Sequence, residues 1–311
     1  MTKSKEIREI FSEVLSEDEL KFMEPMKNHT SLRIGGPADI FSEPKNLPSL
    51  MKLQKGFARY RIPFYPLGGG TNILVRDGGI EGAVLSLRSF RKTETMKEDR
   101  EYVYISAEAG ALLQRLVHFS REHGYSGLEA LAGIPGTVGG AVCGNAGAFG
   151  CEMKDILVSV ERMNAEGQIE RFNAEGIVFG YRSSGILPDE LILSAEIKLR
   201  KDRKEEVSGR IENFLKRKRE KQPIWEASAG CVFRNPSGLS AGKLIDEAGC
   251  KGMRIGDVEV STLHANFFIN KGSAGAADFL RLMEEVTERV KANCNILLEP
   301  EIKIVGRESV N

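Results

Sequence analysis

The sequence predicts a mixed fold of helices and strands, divided into two or three units. Two observations carry this. Apolar residues recur at helical spacing in some stretches and alternate, or form short β-branched blocks, in others, and these stretches interleave along the chain. A length of 311 residues also exceeds what a single core usually organises.

Taken in order, Ile7, Ile10, Phe11, Val14 and Leu15 follow helical spacing and predict a packing helix over residues 5–16. A turn-rich stretch from Asn28 to Asp39 leads to strand-like Ile40 and Phe41. Residues 47–58 read as a helix, and Ile73–Val75 as a strand behind the glycine run at 68–70. Tyr102–Ser106 alternates like a strand. The helix that follows carries Leu112, Leu113, Leu116, Val117 and Phe119, with Gly124 placed to end it. Residues 127–147 are so rich in small residues that no regular element is expected there. Such a glycine content costs backbone entropy, and its usual reason is a close approach of backbone to a ligand. Strands recur at 157–163, 168–172 and 191–199. A helix over 204–221, stopped by Pro223, carries Val207, Ile211, Phe214 and Leu215 on one face. A last helix over 274–292 and a strand over 301–305 close the chain.

Charge and cysteine usage exclude several classes. Lys+Arg and Asp+Glu number 44 each, a balance that argues against a nucleic-acid partner. The five cysteines (143, 151, 231, 250 and 294) are odd in number and form no CxxC pair. They therefore give neither a disulfide framework nor a metal site, and a reducing cytoplasm fits them best. No signal-like apolar core starts the chain, and no apolar run is long enough to span a bilayer. A cytoplasmic protein without membrane insertion is expected.

Three motif look-alikes fail. The run Gly68-Gly-Gly-Thr-Asn72 lacks the last glycine of G-x-G-x-x-G, where Ile73 stands. Ser237–Lys243 lacks the first glycine of a P-loop and has Leu244 for its Ser/Thr. Ser240-Ala-Gly-Lys243 matches S-x-x-K without its companion motifs. Gly68, Gly69, Gly70, Thr71 and Asn72 fit either a tight turn or a backbone cradle for a pyrophosphate. A second glycine-rich stretch, also ending in an asparagine (Asn145), favours two backbone surfaces around one extended dinucleotide. In Ser228-Ala-Gly-Cys-Val-Phe-Arg-Asn-Pro236 a thiol follows a glycine. Thiols titrate near 8.5, so one can give up and regain a proton close to neutral pH.

Arg33–Asp39, the 68–72 run, Gly133–Ala141, Asn145–Gly150, Tyr181–Ser183, Ala229–Pro236 and Leu298–Glu301 occur in this order. Together they resemble the UDP-N-acetylenolpyruvoylglucosamine reductases over residues 25–306. The resemblance implies an α+β chain with an FAD-binding fold of the vanillyl-alcohol-oxidase type. That fold would comprise two subdomains (1–98 and 99–203), followed by a substrate domain (204–311). With Cys231 only 49 positions after Arg182, the chain resembles the shorter subtype, which lacks an extra substrate loop.

The resemblance further implies non-covalent FAD, held by the 68–72 residues together with Ile134, Pro135, Gly136, Thr137, Gly139, Gly140, Asn145 and Gly147. NADPH is implied as hydride donor, and a UDP-sugar enolpyruvyl ether as substrate. Arg182 would meet the substrate carboxylate and Cys231, where serine is usual, would donate the proton. Glu301 would assist, and Glu299 would face solvent. Tyr181, Asn235, Lys251, His264 and Lys221 would bind substrate. The basic run Lys216–Arg219 with Lys221 is either a phosphate clamp or a set of solvated charges at a helix C-terminus. The other four cysteines read as small buried hydrophobes. No metal is implied, and a monomer is expected.

Overall fold

A computed structural model describes residues 19–164, 166–187 and 190–309. The helix expected over 5–16 lies outside these residues. The chain forms two compact units. Of the described residues, one unit comprises those within 19–22, 40–69 and 82–216, and the other those within 23–39, 70–81 and 217–309.

The first unit is organised by an antiparallel sheet. In spatial order its strands are Ile169–Asn173, Leu157–Met163, Leu191–Lys201, Tyr102–Glu108 and Thr93–Glu98. Leu191–Lys201 is the central strand, pairing Ala195 with Ala107 on one side and with Val160 on the other. Alternation sets its faces: Val103, Ile105 and Ala107 are buried while Tyr102 and Tyr104 stay partly exposed. Helix Leu113–His123 buries Leu113, Leu116 and Val117 and ends on left-handed Gly124. Helix Leu47–Tyr60 starts at Asn46, whose side chain accepts the Ser49 N–H, and buries Leu50, Leu53 and Phe57. Strand Phe64–Leu67 runs parallel to the end of Ile80–Ser86 and delivers the chain to Gly68.

One expectation fails in this unit. The segment 127–147 contains a helix, Val138–Cys143, begun by Thr137, whose hydroxyl accepts the Gly140 N–H. Two glycines in six residues hide it from propensity, and the cap together with burial of Val138, Ala141 and Val142 compensates for them.

The second unit is drawn from three separate stretches around one core that includes Leu32, Leu74, Val232, Phe268, Phe279 and Ile302. Strand Lys303–Val305 pairs parallel with Ile73–Val75. Val258–Val260 pairs with Arg254–Ile255 and with Phe268–Asn270. Helix Ala276–Cys294 buries Phe279, Leu282, Met283, Val286 and Val290 at helical spacing. Its N-cap, Gly275, has no side chain to offer. The Asp77 carboxylate substitutes, accepting the N–H groups of Ala276 and Ala277 at 2.8 and 2.9 Å. Ser240, the first residue of the rejected S-x-x-K match, caps a short helix, Ala241–Glu247. Among the described residues no helix is long and apolar enough to cross a membrane.

Candidate active site

In the first unit the two glycine-rich stretches meet. A Cβ on Gly68 would lie 2.9 Å from the Thr137 hydroxyl and 3.5 Å from the Gly140 Cα, so only glycine allows this approach. The Val138 and Gly139 N–H groups donate to the carbonyls of Ala111 and Ala109. These bonds fix the segment to the end of the central sheet. Gln114 holds the preceding loop: it donates to the carbonyls of Leu131 and Ile134 at 3.1 and 2.7 Å, and accepts the Gly133 N–H at 2.7 Å. Ile134 and Gly136 remain half-buried, while Pro135 is exposed.

Asn145 is fully buried with a left-handed backbone, φ 40°. Its amide donates to Glu152 and to the Gly180 carbonyl and accepts the Lys154 N–H, so it builds the surrounding loops. The Gly180 end of that link is one side of a tight turn. Gly180 and Ser183 exchange backbone bonds around Tyr181 and Arg182. Arg182 has φ 54° and donates Nη1–H to the Gly147 carbonyl at 2.9 Å. Its guanidinium lies 5.4 Å from the centre of the Tyr181 ring. The Glu152 carboxyl is held below the usual carboxylate range, first by its bond to Lys154, then by Asn145 and by the charges of Lys154 and Arg182.

In the second unit the Cys231 segment lies between two others. Cys231 bridges to Phe267 on one side, and Val232 donates to the Asn266 carbonyl at 2.8 Å. On the other side Glu301 donates its N–H to the Val232 carbonyl at 2.7 Å, and Arg234 donates to the Glu299 carbonyl at 2.8 Å. Cys231 and Glu301 therefore sit on adjoining segments, both half-buried, while Glu299 is exposed. Gly230 turns the chain into this segment at φ 78°. Asn72 ties the glycine run to the same place, with its amide 3.4 Å from the Glu301 carbonyl and its own carbonyl accepting the Lys303 N–H at 3.0 Å. Gly70 leaves no room for a side chain, since a Cβ there would fall 2.0 Å from the His29 carbonyl oxygen.

The residues expected to bind substrate are engaged in different ways. Asn235 accepts the Ala241 N–H at 2.9 Å. Lys251 pairs with Asp246 at 2.6 Å. His264 packs edge-on against Phe267. Burial pushes its pKa down, and the Lys251 charge acts in the same direction. Lys221 is exposed in the last turn of helix Lys204–Lys221. Lys218 of the same basic run is only 5% exposed, so the run is not a uniformly solvated set of charges. All five cysteines are thiols; Cys250 is buried, and Cys143, Cys151 and Cys294 are partly so.

Sequence reasoning missed Gln114, Asp77 and Asn266. Asn266 did leave a signal: a single amide inside the apolar stretch Ala265-Asn-Phe-Phe-Ile269 must be buried and hence satisfied.

The surface formed by Gly68, Gly69 and residues 133–140 suits a dinucleotide. It offers the half-buried backbone of Gly68, Gly69 and Gly136 and the apolar groups of Ile134 and Pro135. A family model described as an FAD binding domain matches residues 38–173, which places the protein among the FAD-binding oxidoreductases. A second, the UDP-N-acetylenolpyruvoylglucosamine reductase C-terminal domain, matches residues 222–305.

The reductase of that name from Geotalea uraniireducens is 42% identical over 288 residues, covering 93% of this chain and 94% of that protein. Its counterpart from Clostridium novyi is 39% identical over the full length of both. The crystal structure of UDP-N-acetylenolpyruvylglucosamine reductase from Thermus caldophilus superposes with a TM-score of 0.79 at 36% identity, covering 92% of this chain and 98% of that one. The chain belongs to the UDP-N-acetylenolpyruvoylglucosamine reductase family.

Proposed function

We propose that the protein reduces UDP-N-acetylglucosamine enolpyruvate to UDP-N-acetylmuramate in the cytoplasm, as a monomer, using NADPH and non-covalent FAD. The reaction serves peptidoglycan precursor synthesis. The observation that carries the chemical assignment is the adjacency of Cys231 and Glu301, joined through the Val232 carbonyl and the Glu301 N–H at 2.7 Å. On this reading residues 1–98 and 99–203 serve the cofactor and 204–311 the substrate, with 23–39 and 70–81 packed into the second compact unit.

Gly68, Gly69 and residues 133–140 would hold FAD, which would supply the hydride that the enolpyruvyl group takes up at its terminal methylene carbon. The Arg182 guanidinium binds the substrate carboxylate through its fork of donors and stabilises the negative charge that gathers there. Cys231 gives its S–H proton to the carbon bearing the ether oxygen, and the C=C bond becomes a C–H pair. The thiolate left behind regains a proton from solvent, with Glu301 orienting the exchange. Lys251, Lys221, Asn235, His264 and Tyr181 bind the diphosphate and sugar. Lys251 must exchange its Asp246 partner for phosphate, a swap that leaves its charge paired throughout.

The test is anaerobic. NADPH should bleach the flavin of the purified yellow protein, and the enolpyruvyl sugar nucleotide should restore the colour. A colour restored by oxygen alone would refute the assignment. Alkylation of Cys231 by iodoacetamide should stop turnover, and full activity after its modification would remove the thiol from the mechanism.

A further inference from the structure

The Cys231 segment is held by a residue that the proposed chemistry does not use. Asn266 is 2% exposed, so its polar groups must be satisfied inside the protein. Its Oδ1 accepts the Phe233 N–H at 2.9 Å, and its Nδ2 donates to the Phe233 carbonyl at 2.8 Å. Its carbonyl accepts the Val232 N–H at 2.8 Å. A side-chain amide thus supplies the two-point pairing that a neighbouring strand would otherwise provide, beside the bridge between Cys231 and Phe267.

Cys231 and Phe233 each bridge to a neighbouring segment, with a bend at Val232 between them. A slip in the Phe233 pairing would therefore carry Cys231 out of its register with Phe267. An apolar side chain at 266 would also leave the Phe233 N–H and carbonyl buried and unpaired. The amide therefore fixes the direction in which Cys231 points.

The backbone of Asn266 acts on a second group. Its N–H lies 3.3 Å from His264 Nδ1. A backbone N–H can only donate, so Nδ1 must be the unprotonated nitrogen and Nε2 carries the proton. Burial of the ring favours this neutral form.

We propose that Asn266 is a positioning residue for the reduction. It aims the Cys231 thiol through its pairing with Phe233, and it holds His264 as the tautomer that offers Nε2–H to an oxygen of the substrate's nucleotide or sugar. This rests on the function proposed above.

The test compares FAD-loaded wild type with N266A and N266S. Since a misplacement of about 1 Å can cost ~10²-fold, kcat should fall by about that factor in N266A. KM should move by less than about threefold, because N266A keeps its backbone N–H and hence the His264 tautomer. The solvent deuterium isotope effect on kcat should rise as proton delivery becomes slower, which a merely structural role would not cause. Full turnover in folded N266A overturns the proposal, as does a lowered kcat with an unchanged isotope effect. If N266A does not fold, N266S, whose hydroxyl can keep one of the two bonds, gives the same quantities. Nitrogen NMR of histidine-labelled wild-type holoenzyme reads the tautomer directly, with the signal assigned by its loss in H264Q. Protonation on Nδ1 overturns the proposal. A wild-type protein that never turns over the enolpyruvyl substrate refutes the function instead, and the tautomer measurement still decides the geometry.

Discussion

Cys231 and Arg182 both lie where the backbone turns left-handed, and the two regions place the strain differently. Beside Cys231 the turn falls on Gly230, φ 78°, and the thiol itself belongs to a segment without positive φ that is paired on both sides. Arg182 takes the left-handed conformation itself, φ 54°, inside a two-residue turn. For a residue with a Cβ that conformation costs roughly 1–2 kcal/mol. The surrounding loop offsets it through the bond from Asn145 to Gly180 and that from Arg182 to Gly147. On the proposed roles, a proton donor at 231 needs one fixed direction, which a paired segment supplies, and a guanidinium at 182 that binds a carboxylate tolerates a strained perch, provided its fork is held.

The largest expected effect tests the first half of this comparison. Cys231→Ala should lower kcat by about 10²- to 10⁴-fold, the usual worth of a general acid, with flavin content unchanged. Cys231→Ser should retain most of the activity, because a hydroxyl at the same place can still donate. Equal loss in both variants would show that the segment, and not the proton, limits turnover. Arg182→Lys keeps the charge and loses the fork. It should reduce kcat/KM by about 10- to 10²-fold, the value of a charge-assisted hydrogen bond.

Gly230→Ala separates conformation from space. No atom lies within 4 Å of the added Cβ, yet the left-handed turn remains. A loss of about 1–2 kcal/mol in urea unfolding is expected from the backbone alone. A neutral result would mean that the Cys231 segment is as strain-tolerant as the Arg182 turn.

The smallest effect is on pH dependence. The folded pKa of His264 lies below its unfolded value near 6.5. Below that pH the unfolded chain binds a proton that the folded chain does not, so stability falls on acidification and is level above it. Urea midpoints at pH 5.5 and 8 should differ less in His264→Gln than in wild type.

What could be read from the sequence follows from where each signal originates. Helices such as Leu47–Tyr60 and Ala276–Cys294 bury one face of their own residues, so their periodicity is local and visible. Strand Thr93–Glu98 was missed because it is exposed at a sheet edge and carries no alternation. Helix Ala241–Glu247 was hidden because its seven residues owe their start to the Ser240 cap. Cys231 and Glu301 stood out through their motifs. Asn266 and Asp77 act on segments distant from them in the chain, and nothing in their immediate neighbours names those partners.

The parallel pairing of Ile73–Val75 with Lys303–Val305 also governs how the protein is made. Emerging from the ribosome, the first of these strands must wait for some 230 further residues before its partner exists. At about 5–20 residues per second that is roughly ten to fifty seconds with an apolar edge uncovered. Translational pauses late in the message therefore lengthen the interval in which the nascent chain is most open to aggregation.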